Sequence, residues 1–163
     1  MHSFTHPTTA RIAAFLQEIG IEVIPCELPE PGFLPGVLIE RGRMLVDESL
    51  LNPGDLLHEA GHLAVMTTEE RAERRHNVGK DMGEEIGAIC WSYAALVHLG
   101  LDPEVVFHPN GYKGQSQGFI QTFREGHQVG VPLLQWMGLT LDEKNARNRG
   151  LPAYPAMLRW LRE

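Results

Sequence analysis

His58 and His62 stand four residues apart, with Glu59 directly after the first, in the run His58-Glu59-Ala60-Gly61-His62. On a helix that spacing sets both imidazoles on one face, one turn apart. Each can then offer a ring nitrogen to a common cation. Glu59 comes next along the helix, beside a metal without binding it, which is the place for a general base acting on a metal-activated water. Ala60 and Gly61 are small and allow another element to pack closely against this turn. A catalytic zinc takes three protein ligands and keeps a fourth position open. The six residues after His62 contain no histidine, so the third ligand must come from elsewhere. Glu84 and Glu85, at the start of an apolar helix, are the first candidates, with one binding metal and its neighbour facing solvent or supporting a ligand. His76 and Asp81 are weaker alternatives.

The elements around these residues are readable. Asn52 suits an N-cap, Pro53 the first helical position and Asp55 the positive end of the helix dipole, so a helix is expected from Pro53 to Val65 or Met66. Ahead of it, Val37–Glu40 and Met44–Asp47 flank Arg41-Gly42-Arg43, a pattern for a hairpin turning at Gly42. Thr8–Ile19 has apolar residues at helical spacing and ends at Gly20, and Ile21–Ile24 reads as a strand stopped by Pro25. After the histidine helix, residues 67–81 are polar and predict a loop with at most one helical turn. Gly83–Leu99 is apolar on most faces and predicts a long buried helix. Short helical pieces are expected over 102–107, 116–124 and 156–161. The predicted class is α+β: a small N-terminal sheet with a hairpin, the histidine-bearing helix, then a mostly helical C-terminal part.

Composition narrows the function. The 163 residues fit one domain, 1–163, with 43% apolar and 21% charged residues. A net charge of −7 disfavours a phosphate backbone, so no nucleic-acid partner is expected. The basic group Arg71, Arg74, Arg75, His76 and Lys80 is interleaved with Glu69, Glu70 and Glu73 and reads as solvated surface. No apolar run approaches a membrane span, and the first residues lack the pattern of a secretory signal, so a cytoplasmic setting without membrane association is expected. Two cysteines, Cys26 and Cys90, give neither a disulfide framework nor a cysteine zinc site. Cys90, Trp91 and Tyr93 read as core.

With these motifs in place the chain resembles gluzincin metallopeptidases, in particular the small ImmA/IrrE-like group and the minigluzincins. There the His-Glu-x-x-His helix is followed by a helix reading Glu-x-x-Ala-x-x-(aromatic)-(small). Glu85-Ile86-Gly87-Ala88-Ile89-Cys90-Trp91-Ser92 fits, with twenty-two residues between His62 and Glu85. The fit from Glu84 is poorer. The resemblance covers residues 37 to 95 and departs at Ile89, where these families often carry an Asp or Asn that supports a metal-binding histidine. It implies a zincin-like domain that hydrolyses peptide bonds. Zn2+ is then held by His58, His62 and Glu85, with Glu59 as general base. An extended peptide or protein substrate would lie on an edge strand, for which Met44–Asp47 is the candidate. His108, Tyr112 and His127 are the candidates for stabilising an oxyanion. The alternative is a zinc-binding, partner-binding domain without catalysis on the same scaffold. A weaker third reading is a hydrolase of non-peptide amides or esters. The same ligand set also suits iron, cobalt or manganese.

Overall fold

In this computed structural model the described residues are 4–28, 36–50, 52–73, 82–107 and 129–163. Helix α1 spans Pro7–Ile19, followed by strands β1 (Val23–Pro25), β2 (Val37–Glu40) and β3 (Arg43–Val46). Helices α2 (Pro53–Val65), α3 (Thr68–Glu73), α4 (Met82–Leu99), α5 (Val131–Trp136) and α6 (Glu143–Arg149) follow. The class is α+β, as expected: a small mixed sheet, then mostly helices.

The sheet order is β1-β3-β2, with β1 parallel and β2 antiparallel to β3. Glu40 pairs with Arg43, so the hairpin loop is the two residues Arg41 and Gly42. Both have positive φ, 51° and 78°, the twist that a two-residue hairpin needs. Two expectations about the sheet are corrected. Pro25 belongs to β1 instead of stopping it. The ladder passes it by, running from Met44 N to Glu22 O and from Cys26 N to Val46 O, so the N–H that proline lacks is not called upon. β3 is central. Both its sides are paired, and Met44–Asp47 is therefore not the edge strand that could accept a peptide. Among the described residues, the strand positions at the margin are β1 and β2.

The core joins the sheet to the helices. Ile12, Phe15 and Leu16 of α1, Val37, Ile39, Met44 and Val46 of the sheet, and Leu56, Leu57, Leu63 and Ala64 of α2 are all buried. Among the described residues, the most extensive helix–helix contact is that of α2 with α4. Its intimacy depends on Gly61: a Cβ there would lie 2.7 Å from the Ala88 carbonyl oxygen and 3.1 Å from Ser92 Oγ. Ser92 Oγ donates within α4 to Ala88 O at 2.6 Å and lies 3.3 Å from Leu57 O of α2, so its hydroxyl is satisfied at the same contact. Cys90 and Trp91 are fully buried, as expected, while Tyr93 is half-buried against the core. Burial pushes the Cys90 thiol up to about 12.

Other local expectations are revised. Helix α1 begins at Pro7 with His6 as N-cap and no side-chain cap of its own. Glu48 serves instead, accepting from the backbone N–H groups of Thr5 and His6. Asn52 is the N-cap of α2 but makes no side-chain cap hydrogen bond. The stretch expected to be mostly loop contains α3, closed by a reciprocal capping box: Thr67 N donates to Glu70 Oε2 at 2.8 Å and Glu70 N to Thr67 Oγ1 at 3.2 Å. Residues 103–105 form a single 3-10 turn capped by Asp102. The last residues, 156–161, are not helical. Leu158 N bonds to Leu139 O, Arg162 N to Ala64 O, and Met157 bridges Thr140. Long-range partners take the backbone groups that a helix would have used. Helix 116–124 lies outside the described residues.

Arg71 is also not the solvated cation expected from its neighbours. It is half-buried, and its guanidinium donates to the carbonyls of Leu63, Met66 and Arg162. It thus closes the C-terminal end of α2 and ties the end of the chain to it. Arg74, Arg75, His76 and Lys80 lie outside the described residues. No helix among the described residues is long and apolar enough to cross a membrane.

Candidate metal centre

Helix α2 carries the first three site residues on its inner face. His62 and Glu59 are 2% and 6% exposed, and the His58 side chain is 12% exposed. The two imidazole centroids are 5.0 Å apart with planes at 85°. One ligand atom from each of His58, Glu59 and His62 lies within 4.8 Å of the others.

Helix α4 supplies the carboxylates. The Gly61–Ala88 contact brings its backbone against α2, and one turn before Ala88 stands Glu85. Glu85 Oε1 is 3.3 Å from His58 Nε2, and Glu85 Oε2 is 2.8 Å from His62 Nε2. The same carboxylate therefore meets both rings. Glu84 meets His62 from the other side, with Oε1 at 2.9 Å from Nδ1. The two neighbours differ as a helix requires: the Glu84 side chain is 13% exposed and that of Glu85 38%. Of the pair, only Glu85 faces both Nε2 atoms. Ile89 is apolar and 8% exposed, so it offers no polar support to either imidazole.

The electrostatics follow from burial and these contacts. Burial raises the Glu59 carboxyl above its ordinary value, against the pull of the His58 and His62 imidazoles. Burial disfavours a charged His62, but hydrogen bonds to Glu84 and Glu85, together with the negative charges of Glu59 and Glu85, outweigh it and carry its pKa up to about 9. Burial likewise opposes the Glu85 charge, and the hydrogen bonds from His58 and His62 reverse this, leaving its carboxyl well below the usual range. Glu85 is thus an anion at neutral pH, while Glu59 takes up a proton more readily than an ordinary carboxylate.

The donor set suits a divalent cation with mixed nitrogen and oxygen preference. Bonds of ~2.0–2.1 Å in a tetrahedron set neighbouring donor atoms roughly 3.3 Å apart. The His58–Glu85 separation has that value, and the His62–Glu85 one is shorter. A cation between them requires Glu85 to withdraw by a few tenths of an ångström, and its partial exposure leaves room. Glu59 is also near enough to be counted among ligands. Glu59 follows His58 directly and points about 100° around the axis from it, whereas Glu85 faces both Nε2 atoms from another helix, the better place for a third donor.

His108, Tyr112 and His127, the oxyanion candidates, lie outside the described residues, as do His76 and Asp81. Sequence reasoning left Glu84 open between ligand, solvent-facing acid and support; its place on His62 Nδ1 depends on the helix crossing, which no local pattern encodes. No family model matches this chain, and neither a curated protein nor a solved structure matches it.

Proposed function

We propose that the protein is a zinc-dependent metallopeptidase. The carrying observation is that one carboxylate, Glu85, lies within 3.3 Å of His58 Nε2 and 2.8 Å of His62 Nε2 on a different helix. His58, His62 and Glu85 would hold the cation. When bound, it would supply Lewis acidity toward a carbonyl oxygen and make a water more acidic. Glu59, buried and with a raised pKa, would take a proton from the water that adds to the peptide carbonyl carbon and pass it to the amine as the C–N bond breaks. The presence of Glu59 supports catalysis, since a purely structural site has no use for an acid at that position.

The substrate is an extended peptide segment. Among the described residues strand β2 stands at the margin of the sheet and packs against α2, so its outer edge supports backbone pairing beside the catalytic helix. The net charge of −7 disfavours nucleic acid as the partner.

The test is metal analysis combined with cleavage of a mixed peptide library. Wild-type protein should bind about one equivalent of zinc per chain and cleave. Glu59→Gln should keep the metal and lose cleavage by at least ~100-fold, and His58→Ala should lose the metal. Metal bound equally by wild type and Glu59→Gln, with both inert on peptides, would replace the peptidase by a zinc-dependent binding domain. No uptake of any divalent cation by wild type would overturn the metal centre altogether.

A further inference from the structure

Two consecutive residues of α4 contact opposite nitrogens of one imidazole. Glu85 Oε2 faces His62 Nε2 at 2.8 Å, and Glu84 Oε1 faces His62 Nδ1 at 2.9 Å. The ring itself is 2% exposed and the Glu84 side chain 13%. This contact is therefore shielded from water. We infer that Glu84 is a positioning residue that holds the N–H of His62 on Nδ1 and so directs Nε2, with its lone pair, at the cation. The inference rests on the metal reading of this site and adds how one of its ligands is oriented.

The chemistry requires a group of this kind. A neutral imidazole carries its one proton on either nitrogen, and only the bare nitrogen binds metal. An acceptor fixed at Nδ1 selects the tautomer and also stops rotation about the Cβ–Cγ bond. An anionic acceptor further raises the basicity of the far nitrogen. Glu84 satisfies each condition from the face away from Glu85. A carboxylate bonded to Nδ1 is on the wrong side of the ring to share the cation held at Nε2, which separates its role from that of its neighbour. The division is also consistent with helix geometry: adjacent residues point about 100° apart around the axis, enough for them to straddle a flat ring.

The experiment uses the whole chain and has two readouts. The first is long-range nitrogen–proton NMR of the metal-free protein. Wild type should show a slowly exchanging, downfield His62 Nδ1 proton; Glu84→Ala should lose it and Glu84→Gln, whose side-chain oxygen still accepts, should keep it. The second is zinc affinity by competition with a chelator. Glu84→Ala should weaken binding by roughly 10- to 100-fold, Glu84→Gln much less, and Glu85→Ala more than either, with far-UV circular dichroism unchanged throughout. Three results would overturn the inference: no protected Nδ1 proton in wild type, zinc affinity in Glu84→Ala equal to wild type, or loss as complete as that of Glu85→Ala. The last would make Glu84 a ligand. Should Glu84→Ala fail to fold, Glu84→Gln and the wild-type proton still decide. A wild type that keeps the protected proton but binds no zinc would overturn the metal reading and with it the role of directing Nε2, leaving only the hold on the ring.

Discussion

At the scale of single residues, His62 is the pivot. It lies on α2, yet its protonation is governed by α4, because both nitrogens meet carboxylates from that helix. Burial alone would have lowered its pKa, and the two hydrogen bonds with the charges of Glu59 and Glu85 reverse the sign and bring it to about 9. Below that value the metal-free ring keeps its proton, and a cation must displace it. Metal loading at pH 7 should therefore release about one proton, and affinity should rise with pH until roughly 9 and then level off. Calorimetry at pH 7 in buffers of different ionisation enthalpy measures the release directly. Equal heats in all buffers would show that His62 binds without losing a proton and would contradict this account.

At the scale of elements, the site depends on how closely α2 and α4 approach. Gly61 is central, since a methyl group there would lie 2.7 Å from the Ala88 carbonyl oxygen. Gly61→Ala should force the helices apart, destabilising the fold by roughly 1–3 kcal/mol. The same displacement withdraws Glu85, which stands one turn from Ala88, so zinc affinity should fall together with the melting temperature. A variant that melts lower but binds zinc as wild type does would separate the packing from the site. The short α3 matters here too. Its capping box between Thr67 and Glu70 brings Arg71 back onto the last carbonyls of α2, so the histidine-bearing helix ends in fixed partners instead of fraying.

At the scale of the molecule, the final residues close the structure over the core. Trp160 packs edge-on to Phe15 and Trp91, and its carbonyl accepts from Trp91 Nε1 at 2.9 Å. Arg162 adds bonds to Ala64 O and Val65 O, joining the chain end to α2 behind the histidines. Trp160→Ala should therefore cost about 3 kcal/mol by removing a large aromatic side chain from this contact. Chemical denaturation followed by circular dichroism checks it. A loss below about 1 kcal/mol, the range of surface substitutions, would show that the tail is not part of the cooperative unit.

How much of this was legible beforehand follows from the reach of each interaction. The histidine spacing, the smallness of Gly61, the two-residue turn at Arg41-Gly42 and the buried character of the Glu85 helix are local properties, and the chain carries them in its residue order. The signals for α3 and α6 were local as well: the Thr67-x-x-Glu70 box, and Asp142 accepting from Asn145 N ahead of Gly150. The central place of β3 was not local, because a strand's neighbours depend on a partner outside the hairpin. Nor was the extended tail, whose backbone groups were claimed by Leu139 and Ala64. The sequence by itself determined which side chains are fit to hold a cation. Only the tertiary structure decided that Glu85 lies between the two Nε2 atoms and Glu84 behind His62. That choice depends on the contact between two helices, and the relative rotation of two packed helices is a property of neither alone.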